Sequence, residues 1–236
     1  VNKSKPILFN TSMVQAILDG KKTQTRRVIK PQPEFRGLNG ENCSIRKNWD
    51  GEWCEHIDKP NWGFQWAKTH KPRCEVGDIL WVKVTWTEDV FTGERYYLAG
   101  GRCRYGGKPG DEGDCERDYL ATAYCDLCEK TRGWIRWKPS IHMPEDAARI
   151  FLLVAGVRAE RLQDISEEDA IAEGCAAGKG ERFLKQGWTA CYDFVIPAYY
   201  DIAALWDSIY TKKDGGIYAW DKNPWVWVYR FERMEV

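Results

Sequence analysis

Gly20-Lys21-Lys22-Thr23-Gln24-Thr25-Arg26-Arg27 sets four cationic side chains and two hydroxyls within eight residues. Just before it, Val14, Ile17 and Leu18 recur at i, i+3 and i+4, the spacing of one apolar helix face. Asn10, Thr11 and Ser12 are N-cap candidates, and Ser12 with Gln15 has capping-box spacing. Gly20 ends the helix, because glycine takes the left-handed cap conformation at no steric cost. Lys30-Pro31-Gln32-Pro33 then breaks any regular element. The reading is a basic, hydroxyl-bearing strand leaving a helix C-terminus, where Lys21 and Lys22 meet the partial negative charge of the helix. A polar ligand, a nucleotide or nucleic acid, is expected there. In a regular strand Thr23, Thr25 and Arg27 share a face. For Lys22 to converge on Thr25, the turn at Gly20–Lys22 must re-aim the lysine.

On the N-terminal side, Ile7-Leu8-Phe9 reads as a short strand. On the C-terminal side, residues 31–75 scatter Gly, Asn, Asp and Pro among Trp49, Trp53, Trp62 and Trp66 with no clean period, and read as a long insertion. Ile79–Trp86 is apolar on much of both faces, as a central strand is. A second insertion runs from about residue 93 to 133, with Tyr119–Tyr124 as a strand inside it. Trp137–Pro144 is held extended by two prolines, and Pro144 suits the start of a short helical turn over Glu145–Arg149. Ile150–Val157 is another buried strand. Ser166-Glu167-Glu168-Asp169 is a capping box, with Ile165 placed to staple onto Ala170. The helix it starts ends at Gly174 and leaves Glu173 in the last turn, where the dipole disfavours a carboxylate. Ala198–Ile209 is an amphipathic helix, and Trp225–Phe231 a strand apolar on both faces.

A chain of 236 residues, 43% hydrophobic, fits one large globular domain with insertions. Thirty-five Lys and Arg balance thirty-five Asp and Glu, which argues against a non-specific duplex binder. Yet residues 1–37 hold eight bases against two acids, and residues 164–173 hold five acids and no base. A local basic stripe on a neutral protein suits a single nucleotide or a short strand. No stretch approaches the ~20 apolar residues that span a bilayer. No apolar region of signal-peptide length follows Val1–Pro6, so a cytoplasmic location and no membrane partner are expected. Nine unevenly spaced Cys fit reduced thiols.

Two constellations carry chemistry. A threonine hydroxyl needs a neighbour to take its proton. Lys22 can be that base for Thr25 if desolvation and nearby cations lower its pKa, and Glu173 can orient the lysine or carry a proton to a leaving amine. The same residues also fit a basic surface strand beside a solvated helix end. Arg27 with Lys138, Ser140 and His142 suits phosphate or ribose oxygens, or ordinary salt-bridging in a polar loop. Cys125-x2-Cys128 is half a zinc site that Cys103 and Cys115 could complete, though the spacing is loose. The tryptophans at 49–66 form either a stacking platform or a lid or satellite core. Motifs for triphosphate, dinucleotide and zincin chemistry are missing from the sequence.

Ile7–Lys30 resembles the signature of the ASCH domain superfamily, a PUA-like fold. Gly77–Val82, Trp137–Pro144, Leu162–Gly174 and Trp225–Phe231 resemble, in order, the larger ASCH proteins of phages and prophages. The resemblance implies an α+β fold: a single PUA-like mixed β-barrel over 1–236, flanked by short helices, with insertions at about 31–75 and 93–133. It implies relatives that bind RNA or DNA or read modified bases, and bacterial amidohydrolases that remove the acetyl group of N(4)-acetylcytidine. In those enzymes a Lys, a Thr three residues on and a Glu on a later helix are catalytic. Lys22, Thr25 and Glu173 fall on these positions, with Arg27 on a further basic one. The expectation is an amide hydrolase for an N(4)-acylated cytidine or similar modified pyrimidine, requiring no cofactor. The alternatives are a non-catalytic reader of RNA, DNA or a modified base, with a nucleoside or short single strand as partner, and a phage assembly factor.

Overall fold

The computed structural model of the chain describes residues 3–34, 43–59, 63–88, 95–97, 138–175, 198–211 and 214–235. It is a mixed α+β fold, mostly strands with few helices. The chain divides into two compact units, one built from Val1–Gly20, Ile79–Leu153 and Arg233–Val236, the other from Lys21–Asp78 and Val154–Glu232.

In the first unit, β1 (Ser4–Leu8) pairs in parallel with β6 (Ile79–Lys83), Ser4 opposite Ile79. β6 pairs antiparallel with the start of β9 (Phe151–Arg161), Leu80 opposite Leu152. Leu80, Val82 and Leu152 are buried, each stabilising the fold by about 1.5–3 kcal/mol. Helix α1 (Thr11–Leu18) buries Val14 and Ile17, as its spacing predicts. Its N-cap is Asn10, not Ser12: Asn10 Oδ1 accepts from Met13 N and from Ser12 Oγ, both at 2.8 Å. The run expected as one strand over Ile79–Trp86 breaks after Lys83. Trp86 starts a separate hairpin, β7 (Trp86–Glu88) with β8 (Arg95–Tyr97). The turn after Pro144 is a 3-10 turn over Glu145–Ala147.

In the second unit, β10 (Trp225–Arg233) lies between β9 and β2 (Gln24–Val28), with Tyr229 opposite Thr25 and Trp227 opposite Arg27. The described part of 31–75 is not irregular. It contains an antiparallel meander of β3 (Cys43–Lys47), β4 (Trp53–Lys59) and β5 (Gly63–Thr69). Trp53 packs edge-on against Trp227, ring centroids 5.2 Å apart. Helix α2 (Glu167–Ala172) is capped by Ser166, whose Oγ accepts from Asp169 N. Ile165 joins Ala170, Ala198 and Ile202 in one core cluster, so the expected staple residues share a core. Helix α3 (Ala198–Tyr210) starts on the Glu167 carboxylate, which accepts from Ala198 N and Tyr199 N. Leu162, Trp206, Val226 and Val228 form a second cluster.

The described residues show no closed barrel. No described helix is long and apolar enough to cross a membrane. The strand expected at Tyr119–Tyr124, and Cys103, Cys115, Cys125 and Cys128, lie outside the described residues. Among the described residues no group of three or more His, Cys, Asp or Glu is arranged to hold a metal ion.

Candidate functional site

Gly20 adopts φ +72°, a left-handed conformation that L side chains rarely take, and turns the chain out of α1. Two residues on, Lys22 bridges to Glu173 in antiparallel fashion, and Thr23 N donates to Ala172 O at 2.8 Å. The entry to β2 is thus tied to the exit of α2. Lys22 then folds inward. Its Nζ donates to Gln24 O at 2.8 Å, to Glu173 O at 2.8 Å and to Glu173 Oε2 at 2.7 Å. The Lys22 side chain has 0% exposure and that of Glu173 has 5%.

Strand alternation sorts the rest of the stretch. Gln24 and Arg26 point toward α2: Gln24 Nε2 donates to Asp169 O at 2.8 Å, and Arg26 reaches three carboxylates. Those contacts are Nη2 to Glu160 Oε1 at 2.6 Å, Nη2 to Asp169 Oδ2 at 2.8 Å and Nη1 to Glu173 Oε1 at 3.1 Å. Arg158 closes the ring, donating to Glu160 Oε2 at 2.8 Å and to Asp169 Oδ2. Lys22, Arg26 and Arg158 therefore face Glu160, Asp169 and Glu173, three cations against three carboxylates. Thr25 and Arg27 belong to the opposite face of β2. Thr25 is buried, and its Oγ1 accepts from Arg27 Nη1 at 2.9 Å. Tyr229 lies across from Thr25, and its hydroxyl accepts from Arg73 N at 3.0 Å.

Burial sets the electrostatics. Desolvation drives the Lys22 pKa below its ordinary value; the Glu173 charge and hydrogen bond oppose it, and the Arg27 charge adds to it. Desolvation also lowers Arg27. Burial alone pushes Arg26 down, but the carboxylates of Glu173 and Glu160 outweigh it, and the guanidinium ends above its ordinary value. Burial pushes the Tyr229 phenol up to about 12. Three acceptors around Nζ fit an ammonium with its three donors. The 2.7 Å contact to Glu173 also gives that proton a direct route to a carboxylate.

Lys22 and Glu173 are brought together, and Thr25 and Arg27 are bonded to each other on the same strand. Lys138, Ser140 and His142 belong to the other unit. There Lys138 Nζ lies 4.4 Å from the Trp86 ring centroid and 3.6 Å from Glu88 Oε2. Ser140 and His142 belong to a 3-10 turn over Ser140–His142, and His142 is exposed. Sequence reasoning missed Gln24, Arg26, Glu160 and Asp169. A signal existed: the period of two that groups Thr25 with Arg27 also groups Gln24 with Arg26, on the side of the acidic run at 164–173.

No protein-family model, no curated protein and no solved structure matches the chain.

Proposed function

We propose that the unit containing Lys22, Thr25 and Glu173 binds a modified pyrimidine nucleoside on a PUA-like frame and hydrolyses its exocyclic amide, with an N(4)-acylated cytidine as substrate. The observation that carries this reading is the Lys22 ammonium: it has 0% side-chain exposure, sits 2.7 Å from Glu173, and enters the strand that carries Thr25 and Arg27.

Lys22 passes a proton to Glu173 and becomes a neutral amine, a step helped by the burial that lowers its pKa. The amine takes the proton of a water or, turning from the Glu173 side toward the other face of β2, that of the Thr25 hydroxyl. Donation from Arg27 to Thr25 Oγ1 stabilises the oxyanion as it forms. That oxygen attacks the acyl carbonyl and makes a tetrahedral intermediate. Collapse breaks the C–N bond, and the proton on Glu173 goes to the leaving amine of the base. By the water route the acyl group leaves as a carboxylate. By the threonine route an ester forms first, and a water hydrolyses it. Arg27 holds the substrate, and no metal or organic cofactor is needed for these steps.

A second reading, a non-catalytic reader of the same base, is favoured by one observation. Nζ has three acceptors at 2.7–2.8 Å, so the ammonium is saturated as it stands.

Incubation with N(4)-acetylcytidine, followed by chromatography, tests the hydrolase. Cytidine is expected to appear, and to vanish with Lys22→Met while circular dichroism stays native. No cytidine, together with calorimetric binding of the intact nucleoside, replaces the enzyme with the reader. Neither turnover nor binding removes both.

A further inference from the structure

The β3–β4–β5 sheet turns one face toward Trp227 through Trp53. Its other face takes no part in the Lys22–Glu173 network. Ser44, His56 and Trp66 lie in register across the three strands on that face. We propose that this face is a stacking surface for single-stranded nucleic acid.

The rings come first. Phe64 stacks on His56 with centroids 4.9 Å apart, and Trp66 meets both rings edge-on, 4.9 Å from His56 and 5.5 Å from Phe64. Trp49 extends the row, 6.3 Å from Phe64. Phe64 is 45% exposed and Trp49 is 85% exposed. An indole that open contributes almost nothing to a core, and it stands on a turn whose backbone is fixed. Asn48 Oδ1 accepts from Asp50 N at 3.0 Å and Glu52 N at 2.8 Å, and Gly51 closes the turn at φ +79°. A large aromatic left uncovered on a fixed turn offers a flat apolar face to a stacking partner, and the backbone beneath it has little freedom left to lose on binding.

Polar groups beneath the rings narrow the choice of occupant. Among the described residues, Ser44 Oγ, His56 Nδ1 and Trp66 Nε1 are buried without a hydrogen-bond partner. A face built only for stability pairs such groups. A nucleobase offers its π face to the exposed rings of Phe64 and Trp49, and its edges suit a polar, partly unsatisfied surface better than a hydrocarbon does. Charge points the same way. Arg46 lies on this face opposite Cys54, and exposed Lys68 follows Trp66 where β5 carries an extra residue against β4. Neither has an ion-pair partner among the described residues. Asp58, an acid on the same face, lies with Oδ1 3.6 Å from His56 Nδ1. The acids of the hairpin tip, Asp50 and Glu52, follow Trp49, so the phosphates run past Arg46 and Lys68 instead.

Anisotropy of a labelled oligothymidylate of about ten nucleotides, titrated with the full chain, tests this. Binding is expected to weaken as salt rises. Trp49→Ala and Phe64→Ala are each expected to weaken it by roughly tenfold, since one stacked base is worth about that. Arg46→Ala and Lys68→Ala each flatten the salt slope by about 0.7, the share of one single-strand phosphate contact. These side chains are exposed, so the variants keep the native circular dichroism. They also leave turnover of N(4)-acetylcytidine unchanged, so this surface and the Lys22 site stand or fall separately. Absence of binding overturns the proposal, as does binding unchanged in the Trp49→Ala, Phe64→Ala double variant. Equal affinity for duplex, or salt-independent binding of an uncharged oligosaccharide, overturns it in favour of a duplex or sugar surface.

Discussion

Glu173 Oε2 accepts from Lys22 Nζ at 2.7 Å, across 151 positions of sequence. Glu173 is the C-cap of α2, where the helix dipole repels a carboxylate. Lys22 on one oxygen and Arg26 on the other offset that repulsion. The pair is buried, so its members depend on each other far more than an exposed pair does.

Breaking the pair from one side is therefore expected to be costly. Glu173→Ala leaves the Lys22 ammonium and one end of Arg26 buried without their anion, and should lower stability by about 3–5 kcal/mol. Glu173→Gln keeps an acceptor and should cost less. Lys22→Met combined with Glu173→Met should recover much of the single-variant loss, because it removes both charges of the pair and leaves Arg26 with Glu160 and Asp169. Urea unfolding of the wild type, these variants and the Lys22→Met and Glu173→Met singles checks the order. Additive losses in the double variant contradict a coupled pair.

Acid should loosen the same network. Burial pushes the Asp169 carboxyl up, but hydrogen bonding from Gln24 and the guanidinium groups of Arg158 and Arg26 outweigh it, so its pKa lies below the ordinary 3.8. A depressed carboxylate contributes stability that is present above the unfolded value and lost as pH falls through the folded one. Unfolding midpoints should therefore drop below about pH 4, and Asp169→Asn should flatten that part of the profile. An unchanged profile in Asp169→Asn refutes the assignment.

Alkali should act through Tyr229 with the opposite sign. Its phenol is raised from 10 to about 12 by burial. The folded chain keeps this proton after the unfolded chain has lost it. The stability it contributes is complete below 10 and disappears as pH climbs from 10 to about 12. Ultraviolet titration should show a late phenolate that is missing in Tyr229→Phe. That variant also loses the acceptor for Arg73 N, at a cost of about 1 kcal/mol.

Gly20→Ala isolates the turn that aims Lys22. A Cβ at Gly20 meets nothing within 4 Å, so the whole penalty is the φ of +72°. Stability should fall by about 1–2 kcal/mol, and turnover should fall further if the misdirected strand entry moves Lys22. Full stability in Gly20→Ala shows that the turn relaxes freely.

On the hydrolase reading, Thr25→Ser should keep turnover and Thr25→Val should lose it by about a hundredfold or more. Equal rates in Thr25→Val leave a water, not the hydroxyl, as the attacking oxygen. Both variants change the volume of this buried position little, but Thr25→Val also removes the acceptor of Arg27 Nη1, so circular dichroism of each variant accompanies the assay.

Local signals in this chain were legible wherever one short segment contains its own instructions. The i, i+3 spacing of Val14 and Ile17, the Ser166 cap and the apolar run at Trp225–Phe231 each specify an element without outside help. The meander at 43–69 was hidden for a physical reason. β5 is exposed or half-exposed at every position, and β4 buries Glu55 and His56 beside Cys54 and Ile57, so neither strand shows apolar-polar alternation. Glu55 is tolerated inside because His70 Nε2 lies 2.8 Å from its Oε1, a partner fifteen residues away that no local pattern announces.

The residue types of the candidate site were set by sequence: a cationic, hydroxyl-bearing strand, an acidic helix, and a carboxylate in a locally poor place. Which charges meet was decided only by the folded chain. Alternation along β2 sends Gln24 and Arg26 to α2 and Thr25 and Arg27 to the other face, while the turn at Gly20 folds Lys22 back onto Glu173. Sequence distance carries no record of such pairings, because an ion pair forms between groups that packing brings within about 3 Å, and packing is a property of the whole chain.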